Sequence, residues 1–565
     1  MGNLQNVSEV LSDSFSPAVI LPEKDDNSHA HSIYYSQLRS AVKQLQRQSP
    51  FNRLKPGTAV TFLLPNGFEF LGVFFAIVGV RGVANPLNPN YSEDEIVFYL
   101  KDVEPRVIIV LKDAANVATV MKAANKVGVP VYEVSLELVA RYGQQQPVRT
   151  AFKRLSKLLP PSSTISATNS AEAILTARPL DAHPDPLLSA SEPPTTALIK
   201  AQHDHHGEDV ALFLHTSGTT GRPKGVPLSH RNLLSSVANI METYRLQPSD
   251  ISYLVMPLFH VHGLIGVALA TLFSGGTLVV SPKFSVSRFW KDFIAFKATW
   301  YSAVPTIHQM LLLKADETYP GNSGALRFIR SCSASLAPSV LLALEKRFHA
   351  PVVEAYAMTE AAHQMTSNYL PPQGRQPGSV GRGRGVQVQI FNDKGLKMPV
   401  KAVGEVCVSG KNVFAGYHNN PTANQESFII DSNKKRWFRT GDLGYLDETR
   451  YLVLVGRIKE QINRGGEKIS PVEVDQVFLQ HPAVAEVVVF GVPDSVYGQA
   501  VEAAIVLKDT HKQITESALK EFVSSKLTSF KVPRKIYIVD QIPKTATGKI
   551  QRRVVSDHFV KQAKL

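Results

Sequence analysis

The sequence predicts an α/β protein with a large amino-terminal domain, residues 1–458, and a small α+β carboxyl-terminal domain, residues 459–565. The chain has 565 residues, which exceeds the usual size of one compact domain and leaves room for two or three. Strand-like and helix-like segments alternate through most of the first 458 residues, as in α/β proteins. From Gly385 the segments become shorter and richer in β-strand residues, and a second small unit follows from about Lys459.

The alternation begins in the first part of the chain, up to about residue 140. Residues 58–64 are mostly apolar and β-branched, which predicts a strand that ends at the turn Pro65-Asn66-Gly67. An apolar helix is predicted from Phe68, and residues 107–110 have the composition of a buried strand. This order of segments is typical of an α/β fold.

The composition changes between residues 144 and 207. The segment is Gln-rich at first, then contains Pro160 and Pro161 followed by hydroxyl residues, and ends with several histidines. This composition predicts a mostly disordered or loosely attached insertion. A histidine cluster can bind metal, but in a flexible polar segment a solvated cluster is favoured, so no metal site is predicted there.

Strand and helix signals resume after the insertion. Ser229 is suited to be the N-cap of a helix over residues 232–245. Another helix is predicted after Gly263. The further predicted strands are residues 253–256, 277–280, 298–301, 386–391, 405–409, 451–455, 487–490 and 503–506, and the small unit has a helix at 516–527.

The composition argues against a membrane or secreted protein. Hydrophobic residues make up 44% and charged residues 19%, as in soluble globular chains. The apolar run 70–80 is too short to span a bilayer, and the run 264–280 is interrupted by Ser274-Gly275-Gly276. Glu9 and Asp13 stand where a secretory signal would have basic residues.

Cysteine usage and net charge limit the environment and the partners. The two cysteines, Cys332 and Cys407, exclude a disulfide framework and suit a reducing interior. The 61 basic and 48 acidic residues give a net charge of +13, which could indicate nucleic-acid binding. Anionic nucleotides and CoA would also favour a positive field, and the chain has no aromatic-rich basic run, so the second explanation is favoured.

A hydroxyl- and glycine-rich loop follows the apolar run 210–214. It reads Thr216-Ser217-Gly218-Thr219-Thr220-Gly221-Arg222-Pro223-Lys224-Gly225. Its glycines let backbone N–H groups turn toward a ligand, its hydroxyls add donors, and Lys224 supplies a charge for the outer phosphates. The loop is not a P-loop, because Gly225 follows Lys224 where Ser or Thr is required. It predicts a polyphosphate site.

Five later segments carry further polar groups. Residues 354–360 offer an aromatic ring, a hydroxyl and a carboxylate, and Asp442 offers two acceptor oxygens. The segments are 331–336, 354–360, 437–444, 456–468 and 543–550. Residues 331–336 taken alone are a weak signal, whereas residues 456–468 are the most informative of these segments, and all five follow the phosphate loop in one chain.

In order and spacing, the loop and these segments resemble the adenylate-forming superfamily, which includes acyl-CoA synthetases, firefly luciferase and the adenylation domains of peptide synthetases. The resemblance covers the chain except the insertion. It implies mixed sheets packed by helices in the large domain and a mobile small domain that turns about a hinge at Lys459. It also implies an ATP-dependent acid:CoA ligase that uses Mg²⁺, forms an acyl-adenylate with release of pyrophosphate, and then transfers the acyl group to CoA with release of AMP.

The same resemblance assigns roles to individual residues. The implied ATP-binding residues are Thr216, Ser217, Gly218, Thr219, Thr220, Lys224, Ser333, Ala334, Ser335, Tyr356, Ala357, Thr359, Asp442, Arg457 and Lys549. The implied catalytic residues are Lys549, Thr359, Glu360 and Lys224, with Glu360 near Mg²⁺. Gly465 and Gly466 are expected to line the path of the CoA pantetheine arm. No protein nucleophile is needed.

The residues expected around the acid are polar: His260, His262, Ser333 and His363. Ligases for fatty or aromatic acids line this pocket with apolar groups, since burying an unpaired polar atom costs roughly 1 to 3 kcal/mol. A small acid with a second carboxylate suits the polar lining. We expect Ser333 and His363, supported by His260, to hold that carboxylate, with a histidinium as the better partner. For His260 a core or gate role stays open.

The substrate itself is implied by resemblance. Residues 257–263, 301–308, 327–336 and 354–360 are most similar to the oxalate–CoA ligases of fungi and plants. Two alternatives stay open: a CoA ligase for another short or aromatic acid, and, from a different class, a basic nucleic-acid-binding protein whose ligase residues are idle.

The carboxyl terminus, Ala563-Lys564-Leu565, resembles the peroxisomal address S-K-L. This similarity implies a peroxisomal import receptor as a partner. We expect the protein in the peroxisomal matrix, with the cytosol as the alternative.

Overall fold

The computed structural model describes residues 6–11, 14, 16–22, 30–140, 171–180, 206–216, 223–322, 324–508, 513–545 and 548–562. By its contacts the chain forms two compact units. The smaller unit comprises Gly2–Leu212 and Gly275–Pro282, and the larger unit comprises Phe213–Ser274 and Lys283–Leu565 together with Met1. The division does not fall between residues 458 and 459, because the carboxyl-terminal residues pack within the larger unit. The domain boundary at 458–459 stays a prediction.

The regular elements are numbered in chain order. The strands are β1 (Pro17–Leu21), β2 (His31–Tyr34), β3 (Ala59–Leu63), β4 (Val83–Pro86), β5 (Val107–Leu111), β6 (Val131–Ala140), β7 (Ala171–Pro179), β8 (Val210–Thr216), β9 (Lys224–Ser229), β10 (Ile251–Leu254), β11 (Thr277–Val280), β12 (Trp300–Ala303), β13 (Phe328–Cys332), β14 (Val352–Met358), β15 (His363–Ser367), β16 (Arg382–Gly383), β17 (Val386–Phe391), β18 (Gly404–Gly410), β19 (Phe428–Ile430), β20 (Arg436–Leu446), β21 (Leu452–Arg457), β22 (Ile462–Arg464), β23 (Glu467–Ile469), β24 (Val484–Asp494), β25 (Gly498–Leu507) and β26 (Lys535–Ile538). The helices are α1 (Tyr35–Gln46), α2 (Phe68–Gly79), α3 (Glu93–Val103), α4 (Val117–Val127), α5 (His230–Tyr244), α6 (Val261–Gly263), α7 (Ala270–Phe273), α8 (Val286–Ala295), α9 (Pro305–Leu313), α10 (Ala315–Thr318), α11 (Pro338–Phe348), α12 (Pro421–Glu426), α13 (Pro471–Phe478), α14 (Glu516–Ser524) and α15 (Arg552–Gln562).

The smaller unit is built around a sheet with the strand order β7-β6-β5-β3-β4. The strands from β6 to β4 run parallel, and β3 is buried along its whole length, as its continuous apolar sequence predicts. The apolar helix α2 begins at Phe68 as predicted and is buried on most of its surface. On one side of the sheet, side chains of β5 such as Ile108 pack with those of α3 and α4, including Leu100 and Val120.

Part of the predicted insertion is ordered. Within residues 144–207, β7 pairs antiparallel with β6 along nine residue pairs from Tyr132–Pro179 to Ala140–Ala171. The expectation of a loosely attached segment is therefore wrong for Ala171–Pro179. The strand is held because Ala173 and Leu175 alternate inward and are buried, a period-two pattern within a polar segment. The rest of the insertion lies outside the described residues, apart from residue 180 and the first residues of the turn at 206–208.

In the larger unit, six strands follow the order β16-β15-β14-β13-β12-β10. β10, β12, β13 and β14 run parallel, and β15 returns antiparallel along β14. Open parallel sheets bind ligands beyond the carboxyl ends of their strands. The residues just beyond these ends include Ser333, after β13, and Thr359, after β14. This edge of the sheet carries the candidate site.

Helix α5 follows the phosphate-loop region and confirms the predicted N-cap. The Ser229 hydroxyl accepts a hydrogen bond from the N–H of Asn232 at 3.2 Å, and the Asn232 side chain accepts one from the N–H of Ser229 at 2.9 Å. This reciprocal pair is a capping box. The helix begins at His230, two residues earlier than predicted.

Two smaller sheets follow along the chain. The first has the strand order β17-β18-β20-β19 with β21 paired to β20, which confirms the predicted β-rich region. The second has the order β23-β22-β25-β24 with β26 paired to β25. This last sheet has its own core, in which Val489 and Ile505 of the strands pack with Phe478 of α13 and Leu519 of α14. The fold class, an α/β protein with a smaller carboxyl-terminal part, is confirmed.

None of the helices in the described part of the chain is both long enough and apolar enough to cross a membrane. Cys332 and Cys407 are both buried and unpaired.

Candidate active site

Each end of the phosphate-loop motif belongs to a strand. Thr216 is the last residue of β8, and Lys224 is the first residue of β9. The Nζ atom of Lys224 lies 4.5 Å from the centre of the Tyr417 ring, so a cation–π contact directs the ammonium group. The predicted ATP-binding residues that lie outside the described part of the chain are Ser217, Gly218, Thr219 and Thr220.

A short connection between β14 and β15 carries the next group of predicted residues. A single 3-10 turn covers Thr359–Ala361, and β15 begins at His363. Ala362 has a left-handed φ of 46°, and its N–H donates to the carbonyl of Thr359 at 3.0 Å. The reversal of the chain places the Thr359 hydroxyl and the Glu360 carboxylate in one turn, with His363 immediately after it.

Glu360 is a buried carboxylate beside Tyr417. The Tyr417 hydroxyl donates a hydrogen bond to its Oε1 atom at 2.8 Å. Burial raises the pKa of Glu360, while its hydrogen bonds and the charge of Lys224 act in the opposite direction. Carboxylate oxygen is a ligand that Mg²⁺ prefers, and Mg²⁺ usually takes one or two carboxylates plus substrate phosphates. A lone carboxylate near a phosphate site fits that chemistry; the described residues include no group of three His, Cys, Asp or Glu side chains that could hold a metal by itself.

Tyr356, Asp442 and Arg457 form a second polar cluster. The register of β20 and β21 pairs Asp442 with Arg457, whose Nε lies 3.3 Å from Oδ1 of the carboxylate. The Tyr356 hydroxyl donates to Oδ2 of the same carboxylate. Burial raises the pKa of Asp442, and the charge of Arg457 and the Tyr356 hydrogen bond oppose this rise. Each carboxylate oxygen has further acceptor capacity, so the cluster can still receive a vicinal diol.

The segment Ser333-Ala334-Ser335 lies immediately beyond β13. Ser333 has a φ of 76°, in the left-handed region that few non-glycine residues adopt. Ala334 and Ser335 are exposed, so the backbone here is open to a flat ring. Ala357, which was predicted to bind ATP with this segment, is a half-buried residue near the end of β14.

Three of the four residues predicted to hold the acid lie together. His262 is fully buried, its Nδ1 is 3.1 Å from the Ser333 hydroxyl oxygen, and its Nε2 is 2.7 Å from the hydroxyl oxygen of Ser302. The rings of His262 and His363 are stacked with their centres 5.2 Å apart. His260 is the neighbour of this group, because its Nδ1 accepts a hydrogen bond from the backbone N–H of His262 at 3.2 Å.

His363 is buried among polar neighbours that it does not contact by hydrogen bonds. Its exposed fraction is 0%, and neither ring nitrogen has a hydrogen-bond partner among the described residues. Gly266 makes room for the ring: a Cβ atom at Gly266 would lie 2.4 Å from Nε2 of His363. Gly266 belongs to a π-helical turn, Leu264–Leu269, between α6 and α7. An unpaired buried polar group costs about 1 to 3 kcal/mol, which a ligand's polar group would recover.

Burial in this structure disfavours a histidinium, the form that would pair better with a second carboxylate. Burial lowers the pKa of His260 to about 3, and the charge of Lys549 adds to this effect. Burial also lowers the pKa of His262 and of His363 well below the usual value, with Arg330 as the next cause. The rings are therefore neutral near pH 7, and the positive charge of the pocket comes from Arg330 and Lys549.

Lys549 lies close to the histidines. The carbonyl of Gly548 accepts a hydrogen bond from the Thr306 hydroxyl at 2.9 Å, which fixes the loop beside α9. The N–H of Thr545 donates to the carbonyl of Lys549 at 2.8 Å and closes the turn. Desolvation lowers the pKa of Lys549 to about 8, and the nearby charge of Arg457 also lowers it, while Glu360 raises it. The ammonium thus shares one electrostatic environment with both polar clusters.

The predicted hinge and CoA residues lie elsewhere on the larger unit. Lys459 is an exposed residue of a 3-10 turn, Ile458–Glu460, that directly follows β21. Gly465 and Gly466 form the turn between β22 and β23, with left-handed φ values of 61° and 97°. A glycine is required at such angles, but the structure does not bring these two residues to the clusters described above.

Four residues of the site were missed by the sequence reasoning: Arg330, Ser302, Gly266 and Tyr417. Arg330 is a fully buried cation in the apolar strand β13, and this interruption of an apolar run was a signal that could have identified it. Ser302, Gly266 and Tyr417 carry no comparable signal, because their importance comes only from what lies across from them in the fold.

The clusters together describe a site for activating an anion with a nucleotide. Lys224 and the buried Glu360 carboxylate both contact Tyr417, a Tyr–Asp–Arg cluster can receive a ribose, and a neutral polar pocket lies near Lys549. This combination defines a ligase that activates acids with a nucleotide.

Comparison with known proteins identifies the family. The AMP-binding enzyme family matches residues 18–418, and the AMP-binding enzyme C-terminal domain matches residues 473–549. The chain therefore belongs to the AMP-binding enzyme family, and it is an ATP-dependent, AMP-forming acyl-CoA ligase whose substrates include ATP and CoA.

Several relatives match over nearly the full length. The oxalate–CoA ligase of Saccharomyces cerevisiae is 42% identical and covers 100% of this chain and 99% of its own. The oxalate–CoA ligase of Arabidopsis thaliana is 44% identical, with 90% of each chain covered. Among solved structures, ATP-bound MatB from Rhodopseudomonas palustris has a TM-score of 0.78 and 26% identity, covering 98% of this chain and 99% of its own.

Proposed function

We propose that the acid activated by this ligase is oxalate, which is converted to oxalyl-CoA with release of AMP and pyrophosphate. The observation that carries the proposal is the buried polar pocket in which His262 is bonded to Ser333 and stacked on His363. A monocarboxylic acid would place an apolar group beside the Ser333 hydroxyl and would leave the ring nitrogens of His363 without a hydrogen-bond partner. The second carboxylate of oxalate would accept their hydrogen bonds.

Two full-length relatives named oxalate–CoA ligases support the proposal. The charge balance of the pocket supports it as well. Arg330 and Lys549 are cations that act on the pocket histidines, and burial keeps those histidines neutral. A dianion therefore enters a site that is already positive, without needing the rings to take up protons.

In the first half-reaction, a carboxylate oxygen of the acid attacks the α-phosphorus of ATP. A new O–P bond forms, the bond to the β-phosphate breaks, and pyrophosphate leaves with the electron pair. Lys549 is near enough to His260 and to Arg457 for the charges to influence one another, so its ammonium would oppose the repulsion between the two anions. Lys224 would hold the departing phosphates, and the Thr359 hydroxyl would donate to the α-phosphate.

ATP would be held along the edge of the sheet. Tyr356 would stack on the adenine, whose flat face would lie against Ser333-Ala334-Ser335, and Asp442 would accept the ribose hydroxyls beside Arg457. Thr216, the loop 217–220 and Ala357 would complete the nucleotide site. Glu360 would be the protein ligand of Mg²⁺, which when bound neutralises charge on the phosphates.

In the second half-reaction, the CoA thiol attacks the carbonyl carbon of the adenylate and AMP leaves. Lys549 would obstruct that approach, so residues 459–565 would turn about Lys459 and bring Gly465 and Gly466 to the site. The two glycines suit this role because they form an exposed turn that a pantetheine arm can pass closely.

The carboxyl-terminal tripeptide Ala563-Lys564-Leu565 supports import into the peroxisomal matrix by a receptor that reads such an address. The tripeptide lies outside the described residues. A fluorescent protein fused to the amino terminus would report the compartment: we expect peroxisomal fluorescence that becomes cytosolic when the last three residues are deleted. Cytosolic fluorescence of the intact fusion would contradict the proposal.

The experiment that tests the substrate is pyrophosphate release across a panel of acids, using wild type and His363→Ala. We expect oxalate to be preferred over butyrate and coumarate. Because His363 lies in the acid pocket, its loss should raise the KM for oxalate far more than the KM for ATP. A preference for a monocarboxylic acid would contradict the oxalate proposal, and equal effects on both KM values would show that His363 has another task.

A further inference from the structure

Arg330 is a buried cation without an acidic partner. Its side chain has an exposed fraction of 0% and donates three hydrogen bonds: to Tyr244 Oη at 2.7 Å, to Ser302 Oγ at 3.1 Å and to Gln364 Oε1 at 3.2 Å. All three acceptors are neutral, and no carboxylate of the described residues lies within 4.0 Å of the guanidinium. A desolvated cation is costly unless a charge elsewhere compensates it.

The bond from Arg330 determines how the neighbouring hydroxyl is oriented. A guanidinium can only donate, so the Ser302 oxygen is an acceptor in this bond. Ser302 is fully buried, and among the described residues the acceptor within reach of its hydroxyl proton is Nε2 of His262, 2.7 Å away. Donation from Ser302 to Nε2 is therefore the arrangement that satisfies this buried hydroxyl group.

The orientation of the Ser302 hydroxyl also determines the tautomer of His262. Since burial keeps His262 neutral, its ring has one proton, and Nε2 is occupied as an acceptor. The proton is consequently on Nδ1, which lies 3.1 Å from the Ser333 hydroxyl oxygen and donates to it. The hydroxyl proton of Ser333 is then left to point away from His262, toward the acid pocket.

We propose that Arg330 and Ser302 are positioning residues that, through His262, make Ser333 a hydrogen-bond donor to the distal carboxylate of the acid. The guanidinium also places a fixed positive charge behind that carboxylate. The inference rests on the proposed oxalate function and extends it, because it explains how the neutral Ser333 and His262 present a hydrogen-bond donor to an anion. If every hydrogen bond in this series ran in the opposite direction, Ser333 would present a lone pair to the carboxylate and repel it.

Enzyme kinetics with Ser302→Ala test this relay, the series of hydrogen bonds from Arg330 through Ser302 and His262 to Ser333. The variant removes the donor to Nε2, so the tautomer of His262 is no longer fixed. Loss of a hydrogen bond to a charged group typically weakens the affinity for the ligand by about tenfold to a hundredfold. We expect the KM for oxalate to rise by about this factor and the KM for ATP to change by less than about twofold. Arg330→Lys keeps the charge and can still donate to Ser302, but it lacks the planar fork that reaches all three acceptors, so it should show a smaller rise.

Ser236→Ala is the matched control. Ser236 is a fully buried serine of α5 whose hydroxyl has no hydrogen-bond partner among the described residues, so its removal should change neither KM. Equal changes of both KM values in Ser302→Ala, or no change, would overturn the relay. A wild-type enzyme that does not use oxalate would instead contradict the proposed function.

The protonation of His262 can be observed without any substrate. In wild-type protein labelled with ¹⁵N in the histidine rings, the resonances of residue 262 are identified by their loss in His262→Asn. We expect Nε2 to show the chemical shift of an unprotonated nitrogen and Nδ1 that of a protonated one. A proton on Nε2 would overturn the proposed direction of the relay, whether or not Ser302→Ala folds.

Discussion

Replacing Gly266 with alanine should remove the acid pocket while leaving the nucleotide site intact. The added Cβ would lie 2.4 Å from Nε2 and 2.7 Å from Cδ2 of His363, where ordinary contact begins at 3.4 Å, so the ring must move by about 1 Å. His363 is fully buried and stacked on His262, which leaves no free direction for that movement. Overpacking of this kind costs about 1 to 3 kcal/mol of stability.

The effect on activity should exceed the effect on stability. A displacement of about 1 Å in a positioned group can cost about 100-fold in rate. We therefore expect kcat/KM for oxalate to fall about 100-fold in Gly266→Ala, with the KM for ATP nearly unchanged. Pyrophosphate release at varied oxalate and varied ATP measures both values. Ala268→Gly is the control, because it perturbs the same π-helical turn without placing an atom against His363.

A double-mutant cycle shows whether the steric explanation is correct. In the background of His363→Ala the ring is absent, so the methyl group of Gly266→Ala has space and its cost in the free energy of unfolding should nearly disappear. Denaturant unfolding of the four proteins gives the coupling. An equal loss of stability in both backgrounds would refute the proposed clash between residues 266 and 363.

Three further predictions concern the nucleotide, the lysine and the CoA turn. Asp442→Asn removes the charge opposite Arg457 and should raise the KM for ATP about tenfold, while the KM for oxalate stays constant. An unchanged KM for ATP would contradict the role of Asp442 in binding the ribose. Desolvation lowers the pKa of Lys549 to about 8, so its ammonium loses a proton as the pH rises through that value. The rate of ATP–pyrophosphate exchange should therefore decline above about pH 8. An exchange rate that stays constant to pH 10 would contradict a role for the charged form of Lys549. Gly466→Ala places a Cβ at a φ of 97° and strains the turn by about 1 to 2 kcal/mol. Thioester formation should therefore slow, while adenylation measured without CoA is preserved. Equal loss of both half-reactions would argue against a CoA role for Gly466.

Local patterns predicted many elements well. The strand β17 occupies the predicted residues 386–391, and α5 begins at its predicted Ser229 cap. Both features depend on neighbouring residues in the sequence, namely an alternating or apolar run and a capping box. By contrast, β7 was not predicted, because its main stabilisation is the pairing with β6, a contact that depends on the fold and not on the composition of the segment.

The residues of the candidate site also divide into those that local sequence patterns predicted and those that they did not. The motifs located Lys224, Glu360, Asp442 and Lys549 because each lies in a recognisable stretch of sequence. The Arg330–Ser302–His262 chain joins residues separated by 28 and 40 positions, and no local pattern relates them. The direction of the histidine pKa shifts could not be predicted from local sequence, because burial, their main cause, is a property of the folded chain.

The most direct test of oxalate activation is to trap the product of the first half-reaction. Enzyme, oxalate, ATP and Mg²⁺ are incubated without CoA, and the bound products are analysed by mass spectrometry. We expect oxalyl-adenylate and pyrophosphate in wild type, conversion to oxalyl-CoA and AMP when CoA is added, and no adenylate in Lys549→Ala. If wild type forms no mixed anhydride from oxalate, or releases ADP and phosphate instead, the proposed chemistry is contradicted.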